Sequence, residues 1–328
     1  MQGYKKFSLY LVIFLLIFTV AGCRPAEERP EPEQQRDVEV PPIPEAIAVG
    51  EGQEPSLNVY IVEEQTVKEL QFEEYVAGVL AGEMYNEWPV EALAAQAILA
   101  RTFVMEFIAD KGGSKYEGAH VSTDIEEAQA WKAELINERI NEAVQQTRGQ
   151  VMVYDGDFVK AWFHAHAGGT TATAQEGLGF GEEEPAYIQV IESPDSAEAP
   201  EEEANWSETF TKAEIIEAAR QQGQEVGDFT GIEIAETGPS GRATQLKIGE
   251  ADVPAPAFRI ALGSTRMKST LINNISVEGD QVTISGTGYG HGVGMSQWGA
   301  YQMAQDGSSP EEIVKHYFKD VDIVKLWD

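Results

Sequence analysis

The chain has very little cysteine and few basic residues, and each shortage excludes a class of site. Cys23 is the only cysteine among 328 residues, so neither an intrachain disulfide nor a zinc site built on cysteines can form. Lys and Arg number 23 against 55 Asp and Glu, which gives a formal net charge of −32. Phosphate binding needs a basic surface, so this charge argues against a nucleic-acid partner and against adhesion to anionic lipid.

The N-terminus has the plan of a signal peptide. Two lysines precede an apolar run over residues 7–22, and Cys23 follows directly. Together with Val20-Ala21-Gly22, this cysteine resembles a bacterial lipobox, which predicts a signal peptide over residues 1–22 and a lipid on the thiol of Cys23. The alternative is an uncleaved membrane helix, although 16 apolar residues fall short of the roughly 20 that span a bilayer. Both interpretations place the rest of the chain outside the cytoplasm. If Cys23 carries a lipid, that lipid alone would anchor the chain to the outer face of the cell membrane.

Residues 23–55 are predicted to form an acidic, proline-rich tether. This segment is rich in Pro, Glu and Gln and has almost no aromatic residues, so it cannot bury enough apolar surface to fold by itself. Its prolines favour extended polyproline II structure, which would hold a domain away from the membrane. The folded domain is then expected over residues 56–328, and those roughly 270 residues suffice for a hydrophobic core.

The pattern of apolar residues predicts an α+β domain with mixed and antiparallel sheet elements. Alternation over residues 57–62 and 67–72 indicates strands, and helical spacing over 72–84 and 89–109 indicates a helical pair. Strands and helices follow one another without a regular βαβ alternation, which argues against a doubly wound sheet. Further predictions are a helix over 128–147, a surface excursion over 181–204, hairpins turning near 155–157, 238–241 and 279–280, and capping boxes at Thr211 and Ser309.

Glu83 stands out in the first helix of the pair. It lies at the C-terminal end of a helix of small residues, where the negative end of the helix dipole and apolar neighbours both favour the protonated carboxyl. A raised pKa is what a general acid needs at neutral pH. The other nearby glutamates are expected on a solvated face or, for Glu91, in the stabilising first turn of the second helix; they are Glu73, Glu74, Glu87 and Glu91. By pattern alone, Arg101 in the second helix is more often an ion-pairing residue than a ligand for substrate.

A glycine-rich segment near the C-terminus is the second stretch that suggests chemistry. It follows a predicted strand and reads Gly286-Thr287-Gly288-Tyr289-Gly290-His291-Gly292-Val293-Gly294-Met295-Ser296-Gln297-Trp298-Gly299-Ala300. Alternating glycines let a backbone approach a ligand closely, although a structural turn explains them equally well. The spacing does not fit a dinucleotide fingerprint. It does not fit a nucleophile elbow either, because Trp298 stands where the second glycine of the elbow belongs.

Together the two segments resemble the SpoIID/LytB family, the sporulation stage II protein D type. In that family a Glu-Glu-Tyr stretch leads to a Glu-Met pair and a Gln-Ala-x-x-Ala-Arg-Thr helix, and Gly-x-Gly-His-Gly-Val-Gly-Met-Ser-Gln closes the domain. The matching residues here are Glu73 to Tyr75, Glu83-Met84, Gln96 to Thr102, and residues 288–297. The resemblance covers about residues 57–328.

This resemblance implies a lytic transglycosylase that acts on the glycan strands of peptidoglycan after an amidase has removed the stem peptides. The family's catalytic glutamate falls on Glu83, which would protonate the glycosidic oxygen and then, as carboxylate, help to close a 1,6-anhydro ring on N-acetylmuramic acid. The glycine-rich loop is expected to close the glycan groove. The residues expected to bind the sugar are Arg101, His164, His291, Gly292, Met295, Ser296 and Gln297.

Two alternatives remain open from the sequence. No cofactor is expected, but some family members bind zinc through His and Cys, and the His164-x-His166 pair would place two imidazoles on one face of a strand. The second alternative concerns function: a non-catalytic module that binds glycan and stimulates a cell-wall amidase would need the groove but not the carboxyl of Glu83. A serine amidase is a distant third, since Ser296 lacks the elbow.

Overall fold

The computed structural model describes residues 38–328, so the predicted signal peptide, Cys23 and the first part of the predicted tether lie outside the described residues. The helices of the described part are α1 Phe72–Glu83, α2 Val90–Lys111, α3 Glu138–Gln146, α4 Ala174–Leu178, α5 Glu201–Ala204, α6 Lys212–Gln221, α7 Ala255–Leu262, α8 Gln297–Gln305 and α9 Pro310–Tyr317. Its strands are β1 Ser56–Ile61, β2 Thr66–Gln71, β3 Val121–Ser122, β4 Gln150–Tyr154, β5 Asp157–Phe158, β6 Phe163–His164, β7 Asn205–Thr211, β8 Ile232–Thr237, β9 Ala243–Ile248, β10 Ala251–Pro254, β11 Ile272–Glu278, β12 Gln281–Thr287, β13 Met295–Ser296 and β14 Asp322–Lys325.

The strands form several small sheets, which confirms the predicted α+β class. Three sheets have the orders β2-β1-β3, β10-β9-β8 and β11-β12-β7, and a fourth has the order β14-β4-β5. Most neighbouring strands are antiparallel, as the predicted hairpins require. The parallel pair β6 and β13 joins Phe163 to Met295 and His164 to Ser296. This pairing places the glycine-rich segment beside a strand more than 120 positions earlier in the chain.

Two hydrophobic cores hold the described residues together. The larger core surrounds α1 and α2 and includes the fully buried Tyr75, Leu80 and Leu93. The smaller core lies between α6, α7 and the strands β7 to β12. Helix α2 is long and apolar enough to cross a membrane, but 83% of its most apolar window is buried inside this fold. It is therefore the central helix of the larger core.

Several local predictions are confirmed by the structure. The first helix of the pair ends and the second begins around the bend at residues 84–89, and α2 continues two residues past its predicted end at 109, to a left-handed Gly112. Thr211 with Glu214 and Ser309 with Glu312 form capping boxes at the starts of α6 and α9. These features depend on neighbouring residues alone, which explains why the sequence predicts them.

The predicted helix over residues 128–147 is wrong in its first half. Only Glu138–Gln146 is helical beyond a short 3-10 turn at Ala133–Leu135. The preceding backbone packs directly on the small residues of α1, where a Cβ added at Gly82 would meet the backbone of Ala130 and Trp131 at 2.7 Å. Tertiary packing thus overrides the local helical preference of this segment.

Two segments expected at the surface are packed against the domain instead. In residues 181–204, Tyr187, Ile188, Ser193 and Ser196 are buried, so the segment is irregular but not a free excursion. In the last part of the predicted tether, residues 38–55, the side chain of Ile47 is only 4% exposed and belongs to the larger core. These few apolar side chains find partners on the folded domain, which the composition of the segment does not reveal.

Candidate functional site

The side chain of Glu83 is held at the C-terminal end of α1 by a neighbouring backbone segment. Because Gly82 has no side chain, the segment at Ala130 approaches the helix closely enough for its N–H to donate a hydrogen bond of 2.6 Å to Oε1 of Glu83. Burial raises the pKa of Glu83 to about 7, and the bond from Ala130 offsets only part of this shift. About half of the Glu83 carboxyls therefore carry the proton at pH 7, and the pKa is shifted in the direction that the sequence predicts.

A cleft of about 260 Å³ opens at Glu83. Its walls come from the bend after α1, from the glycine-rich segment and its following helix, and from α5. The lining residues are Gly82, Glu83, Met84, Tyr85, Trp88, Ala165, Glu203, Tyr289, Gln297 and Trp298. Of the residues predicted to form the sugar site, the cleft therefore contains Glu83 and Gln297.

Four aromatic rings form one side of this cleft and extend beyond it. Trp88 and Trp298 lie with their ring centroids 4.5 Å apart, Tyr85 lies 5.4 Å from Trp88, and Tyr301 lies 5.1 Å from Trp88. We call these four residues the aromatic ridge. Tyr85 is half exposed, so part of the ridge faces solvent. Aromatic rings with an open face are typical of surfaces that bind ligands with both apolar and polar groups.

The carboxylate of Glu203 fixes two rings of the aromatic ridge. Its Oε1 accepts a hydrogen bond of 2.6 Å from the hydroxyl of Tyr85, and its Oε2 accepts one of 2.6 Å from Nε1 of Trp298. The bond to Glu203 raises the pKa of Tyr85 to about 12, so the hydroxyl remains a donor. Because both oxygens of Glu203 are engaged, Glu83 is the carboxyl in the cleft with an oxygen free of protein donors among the described residues.

Gln297 connects the glycine-rich segment to the end of α1. Its Nε2 donates a hydrogen bond of 3.1 Å to the main-chain carbonyl of Glu83. Tyr289 of the same segment lines the cleft, and the ammonium of Lys268 lies 5.2 Å from the centroid of its ring. The two segments that the sequence singled out therefore meet at one site.

His164 and His291 lie behind the cleft, where they hold the glycine-rich segment. Nδ1 of His164 lies 3.1 Å from the carbonyl oxygen of Val293, and Nδ1 of His291 accepts a bond of 3.0 Å from the N–H of the same residue. Burial lowers the pKa of His291 to about 3 and that of His164 well below its usual range, with the charge of Arg242 acting in the same direction. Both imidazoles are therefore neutral at physiological pH.

Other residues predicted at the sugar site also support the loop instead of lining the cleft. A Cβ at Gly292 would lie 2.5 Å from the guanidinium of Arg242, and Met295 is fully buried in the larger core. Ser296 caps α8 through a bond from the N–H of Gly299. Its hydroxyl donates 2.6 Å to Asp195, a carboxylate and not an imidazole, so this serine is not arranged as a nucleophile.

Arg101 does not contact the cleft, which corrects its prediction as a sugar-binding residue. Its guanidinium is fully buried and forms a salt bridge of 2.7 Å with Glu73. Glu73 also accepts bonds of 2.9 Å from the N–H of Gly149 and from Nε1 of Trp327. The expectation that Glu73 lies on a solvated face is wrong, because its carboxylate is buried among these bonds. The pair joins α1, α2 and the C-terminus, so its role is structural.

The two histidines of the His-x-His pair have different neighbours. His164 faces His291, with ring centroids 5.7 Å apart, whereas Nδ1 of His166 lies 3.5 Å from Asp195. Within residues 38–328 no group of three or more His, Cys, Asp or Glu side chains has an arrangement that could hold a metal ion. The pair therefore does not fit a zinc site built from these residues.

Sequence reasoning missed Tyr85, Trp88, Glu203, Tyr289 and Trp298 as cleft residues. The four aromatic residues among them lie within or next to the two segments that suggested chemistry. Their closeness in sequence to Glu83 or Gln297 is the signal that marks them as candidates. Glu203 belongs to a run of three glutamates, and no local pattern distinguishes it from its neighbours. Only the fold brings that one carboxylate to the ridge.

Comparison with known proteins identifies two matching family models. The model of the stage II sporulation protein (SpoIID) matches residues 60–154, which include Glu83. A domain of unknown function (DUF8618) matches residues 181–294, which include Glu203 and Tyr289. The cleft is therefore built from residues of both matched segments, together with Ala165 between them and Gln297 and Trp298 just beyond the second.

Individual relatives are similar over most of the chain. An uncharacterised protein of Brachyspira hyodysenteriae is 34% identical over 262 residues, which cover 79% of this chain and 68% of that protein. Stage II sporulation protein D of Bacillus amyloliquefaciens is 30% identical over 280 residues, covering 82% of this chain and 78% of that protein. The amidase enhancer of Bacillus subtilis is 27% identical over 293 residues, covering 74% of this chain but only 39% of that protein.

Proposed function

Because the chain belongs to the SpoIID family, we propose that it is a lytic transglycosylase that cleaves peptidoglycan glycan strands. Its substrate would be the bond between N-acetylmuramic acid and N-acetylglucosamine in strands freed of stem peptides, and its product a 1,6-anhydro end. The names of the relatives, a sporulation protein and an amidase enhancer, support a function at the cell wall. The wall process would be remodelling or sporulation.

One observation carries this proposal: a single available carboxyl, Glu83, has its pKa raised to about 7 inside a cleft beside aromatic rings. Glycosidases that use water commonly employ two carboxyls at a set separation. Here the second carboxylate in the cleft, Glu203, is occupied by the donors of Tyr85 and Trp298. The arrangement favours chemistry in which one group serves as both acid and base.

The proposed reaction balances without water. The protonated carboxyl of Glu83 donates its proton to the glycosidic oxygen, and the electron pair of the breaking C1–O bond goes to that oxygen. The resulting carboxylate accepts the proton of the C6 hydroxyl of the same muramic acid, while O6 forms a bond to C1. Glu83 ends the cycle protonated, as it began.

The aromatic ridge and Gln297 would position the sugar. The half-exposed ring of Tyr85 offers a surface for the C–H side of a pyranose ring, and Trp88 and Trp298, which are only 7% and 5% exposed, pack against it. Tyr289 also lines the cleft. A cell-wall substrate requires a location outside the cytoplasm. A lipid on Cys23 would hold the domain at the outer face of the membrane, which extends the proposal to residues that lie outside the described part of the chain.

The direct test is to incubate the purified chain with peptide-free glycan strands and identify the new ends by mass spectrometry. In water enriched in ¹⁸O, the proposed reaction gives 1,6-anhydro-muramyl ends without label, whereas hydrolysis gives labelled reducing ends. Labelled ends, or no cleavage under conditions where the strands bind, would contradict the transglycosylase proposal.

A second candidate is a non-catalytic module that binds glycan and enhances a cell-wall amidase. The similarity to the amidase enhancer of Bacillus subtilis supports it, although the match covers 39% of that protein. This function needs the cleft but not the proton on Glu83. A purified chain that forms no anhydro ends, but raises the rate of a separate amidase equally as wild type and as Glu83→Gln, would favour the enhancer.

A further inference from the structure

Asp195 carries a buried carboxylate that the proposed reaction does not use. It lies in the irregular segment between α4 and α5, and its side chain is only 4% exposed. Within residues 38–328 no Lys or Arg forms a salt bridge with it, and Nδ1 of His166, 3.5 Å away, is engaged as the acceptor of the N–H of Gly168. A buried charge persists only where hydrogen-bond donors compensate for the lost water. The donors around Asp195 therefore show what its charge holds in place.

These donors come from three separate parts of the chain. Oδ1 of Asp195 accepts a hydrogen bond of 2.6 Å from the hydroxyl of Ser296 and one of 3.0 Å from the hydroxyl of Ser193. The N–H of Gly169 donates a bond of 2.9 Å to Oδ2, and the N–H of Ala167 donates a longer bond of 3.4 Å to Oδ1. One carboxylate thus joins its own segment, the turn that follows β6 and the start of α8.

The bond from Ser296 fixes the start of α8. The hydroxyl of Ser296 donates its hydrogen bond to Asp195, which leaves its oxygen free to accept the N–H of Gly299 and to cap the helix. The negative charge of Asp195 also lies near the positive end of the α8 dipole, which stabilises that charge. The residue after the cap, Gln297, donates its bond of 3.1 Å to the main-chain carbonyl of Glu83. Hydrogen bonds and chain connections therefore run without a gap from Asp195 to the backbone of Glu83.

The bonds to the turn after β6 fix the rest of the same side of the cleft. The carbonyl of Ala165 accepts a bond of 3.0 Å from the N–H of Trp298, and His166 exchanges backbone bonds of 3.0 and 2.8 Å with Tyr289. Asp195 holds the N–H groups that follow directly after these contacts. We call the four cleft residues that depend on Asp195 in this way the loop wall; they are Ala165, Tyr289, Gln297 and Trp298.

The start of α8 has little room to move by itself. A Cβ at Gly299 would collide with the hydroxyl of Tyr317 and would lie 2.7 Å from the hydroxyl oxygen of Ser193. These two hydroxyls are 3.0 Å apart, and Ser193 also donates to Asp195. The position of the helix start therefore depends on this set of hydrogen bonds as a unit.

We infer that Asp195 is a positioning residue, whose buried carboxylate holds the loop wall in register with Glu83. Asp195 does not line the cleft and acts through Ser296 and Gln297. Its effect on turnover rests on the proposed function, since a misplacement of about 1 Å beside a catalytic group can lower the rate by about 10²-fold. The position of the loop wall itself can be measured without any substrate.

The first measurement is kcat for the formation of 1,6-anhydro ends by the full chain carrying Asp195→Asn. The amide keeps the shape of the carboxyl, but its nitrogen replaces one accepting oxygen and faces a donor, either the N–H of Gly169 or the hydroxyl of Ser296. We expect kcat to fall about 10- to 100-fold. Glu192→Gln, at an exposed position of the same segment, is the matched control and should keep the wild-type rate. An undiminished kcat in Asp195→Asn would overturn the inference.

A double-mutant cycle with Gln297→Ala separates positioning from a general loss of structure. Gln297→Ala by itself should lower kcat by a factor similar to that of Asp195→Asn. If Asp195 acts through the start of α8, adding Asp195→Asn to a chain that already lacks this amide should lower kcat by less than about threefold. Urea unfolding gives the folded fraction of each variant, by which its rate is corrected. The same full loss in both backgrounds, or a loss that vanishes after the correction, would leave Asp195 with a structural role only.

Amide hydrogen exchange of the ligand-free chain tests the position of the loop wall without catalysis. In Asp195→Asn the amides of residues 288–299 should exchange about tenfold faster, whereas those of α6 in the smaller core should match the Glu192→Gln control. Unchanged exchange over residues 288–299, or an equal acceleration in α6, would contradict positioning by Asp195. A chain that forms no anhydro ends but shows the local acceleration would disprove the proposed catalysis and keep Asp195 as the residue that positions the loop wall.

Discussion

The side-chain amide of Gln297 donates a hydrogen bond of 3.1 Å to the main-chain carbonyl of Glu83, across 214 positions of the sequence. This bond joins the end of α1 to the start of α8, and it leaves the carboxyl of Glu83 free to face the cleft. Two segments that suggested chemistry separately are thus parts of one site.

Replacing Glu83 with Gln should abolish cleavage while glycan binding persists. The amide has nearly the shape of the carboxyl but cannot donate and accept the proton that the reaction moves, so we expect a loss of at least about 10³-fold in kcat. The measurement is the rate of anhydro-end formation from peptide-free strands. Glu74→Gln, an exposed position of the same helix, is the matched control and should keep wild-type activity. Activity of Glu83→Gln within tenfold of the control would remove Glu83 from the mechanism.

Activity should fall as pH rises through about 7. Burial raises the pKa of Glu83 to about 7, and the proposed acid must carry its proton before the glycosidic bond breaks. The protonated fraction of such a group decreases about tenfold between pH 6 and pH 8. The profile of kcat/KM against pH reports the free enzyme and should show this basic limb. A profile that is flat from pH 6 to 8 would show that another group supplies the proton.

The same raised pKa should make Glu83 a cost to stability in alkaline solution. The folded-state pKa of Glu83 lies above the ordinary glutamate value of about 4.5, so the unfolded chain loses this proton first, and stability decreases as pH rises from about 4.5 to about 7. Glu83→Gln should therefore be more stable than wild type by about 1–3 kcal/mol at pH 8 and equal to it near pH 4.5. Urea unfolding at the two pH values measures the difference. If Glu83→Gln were more stable than wild type by the same amount at both pH values, packing and not ionisation would explain the difference.

Replacing Arg101 with Ala should reduce stability without acting directly on the sugar site. The change leaves the buried carboxylate of Glu73 without its partner, which costs about 3–5 kcal/mol. Removing both charges in Arg101→Met with Glu73→Gln should cost much less, because no uncompensated charge remains in the core. Denaturant unfolding gives the free energies, and glycan affinity is measured on the folded fraction. If Arg101→Ala had normal stability but a large loss of glycan affinity, Arg101 would bind the sugar after all.

Replacing Glu203 with Gln should loosen the aromatic ridge. A carboxamide has one accepting oxygen, which Nε1 of Trp298 must take because it can only donate. The hydroxyl of Tyr85 then faces the amide N–H and has to reverse its role from donor to acceptor, and both bonds become neutral and weaker. We expect KM for glycan to rise about tenfold with a smaller change in kcat, because the group orients binding residues and takes no proton. Glu202→Gln is the adjacent control. A fall in kcat at unchanged KM would instead assign Glu203 to the chemical step.

Much of the local structure can be predicted from neighbouring residues. The two capping boxes, the helical pair around the bend and the hairpin turns each depend on a few adjacent positions. The proposed role of Glu83 also has a local signal, since a carboxyl at the end of a helix of small residues is expected to have a raised pKa. Arg101 shows the limit of such signals: the same helix pattern suits a ligand for sugar and an ion-pairing residue, and only its buried contact with Glu73 distinguishes them.

What the sequence by itself determined is therefore the α+β class, the family resemblance, and the two segments that suggest chemistry, because helix periodicity, capping and motif spacing depend on consecutive residues. The tertiary structure alone decided which side chains share the cleft. Glu203 reaches Tyr85 and Trp298, Ala130 reaches Glu83, and His291 turns away to hold its own loop. Burial and hydrogen-bond distance depend on atoms far apart in the chain, so they arise only when the core is packed.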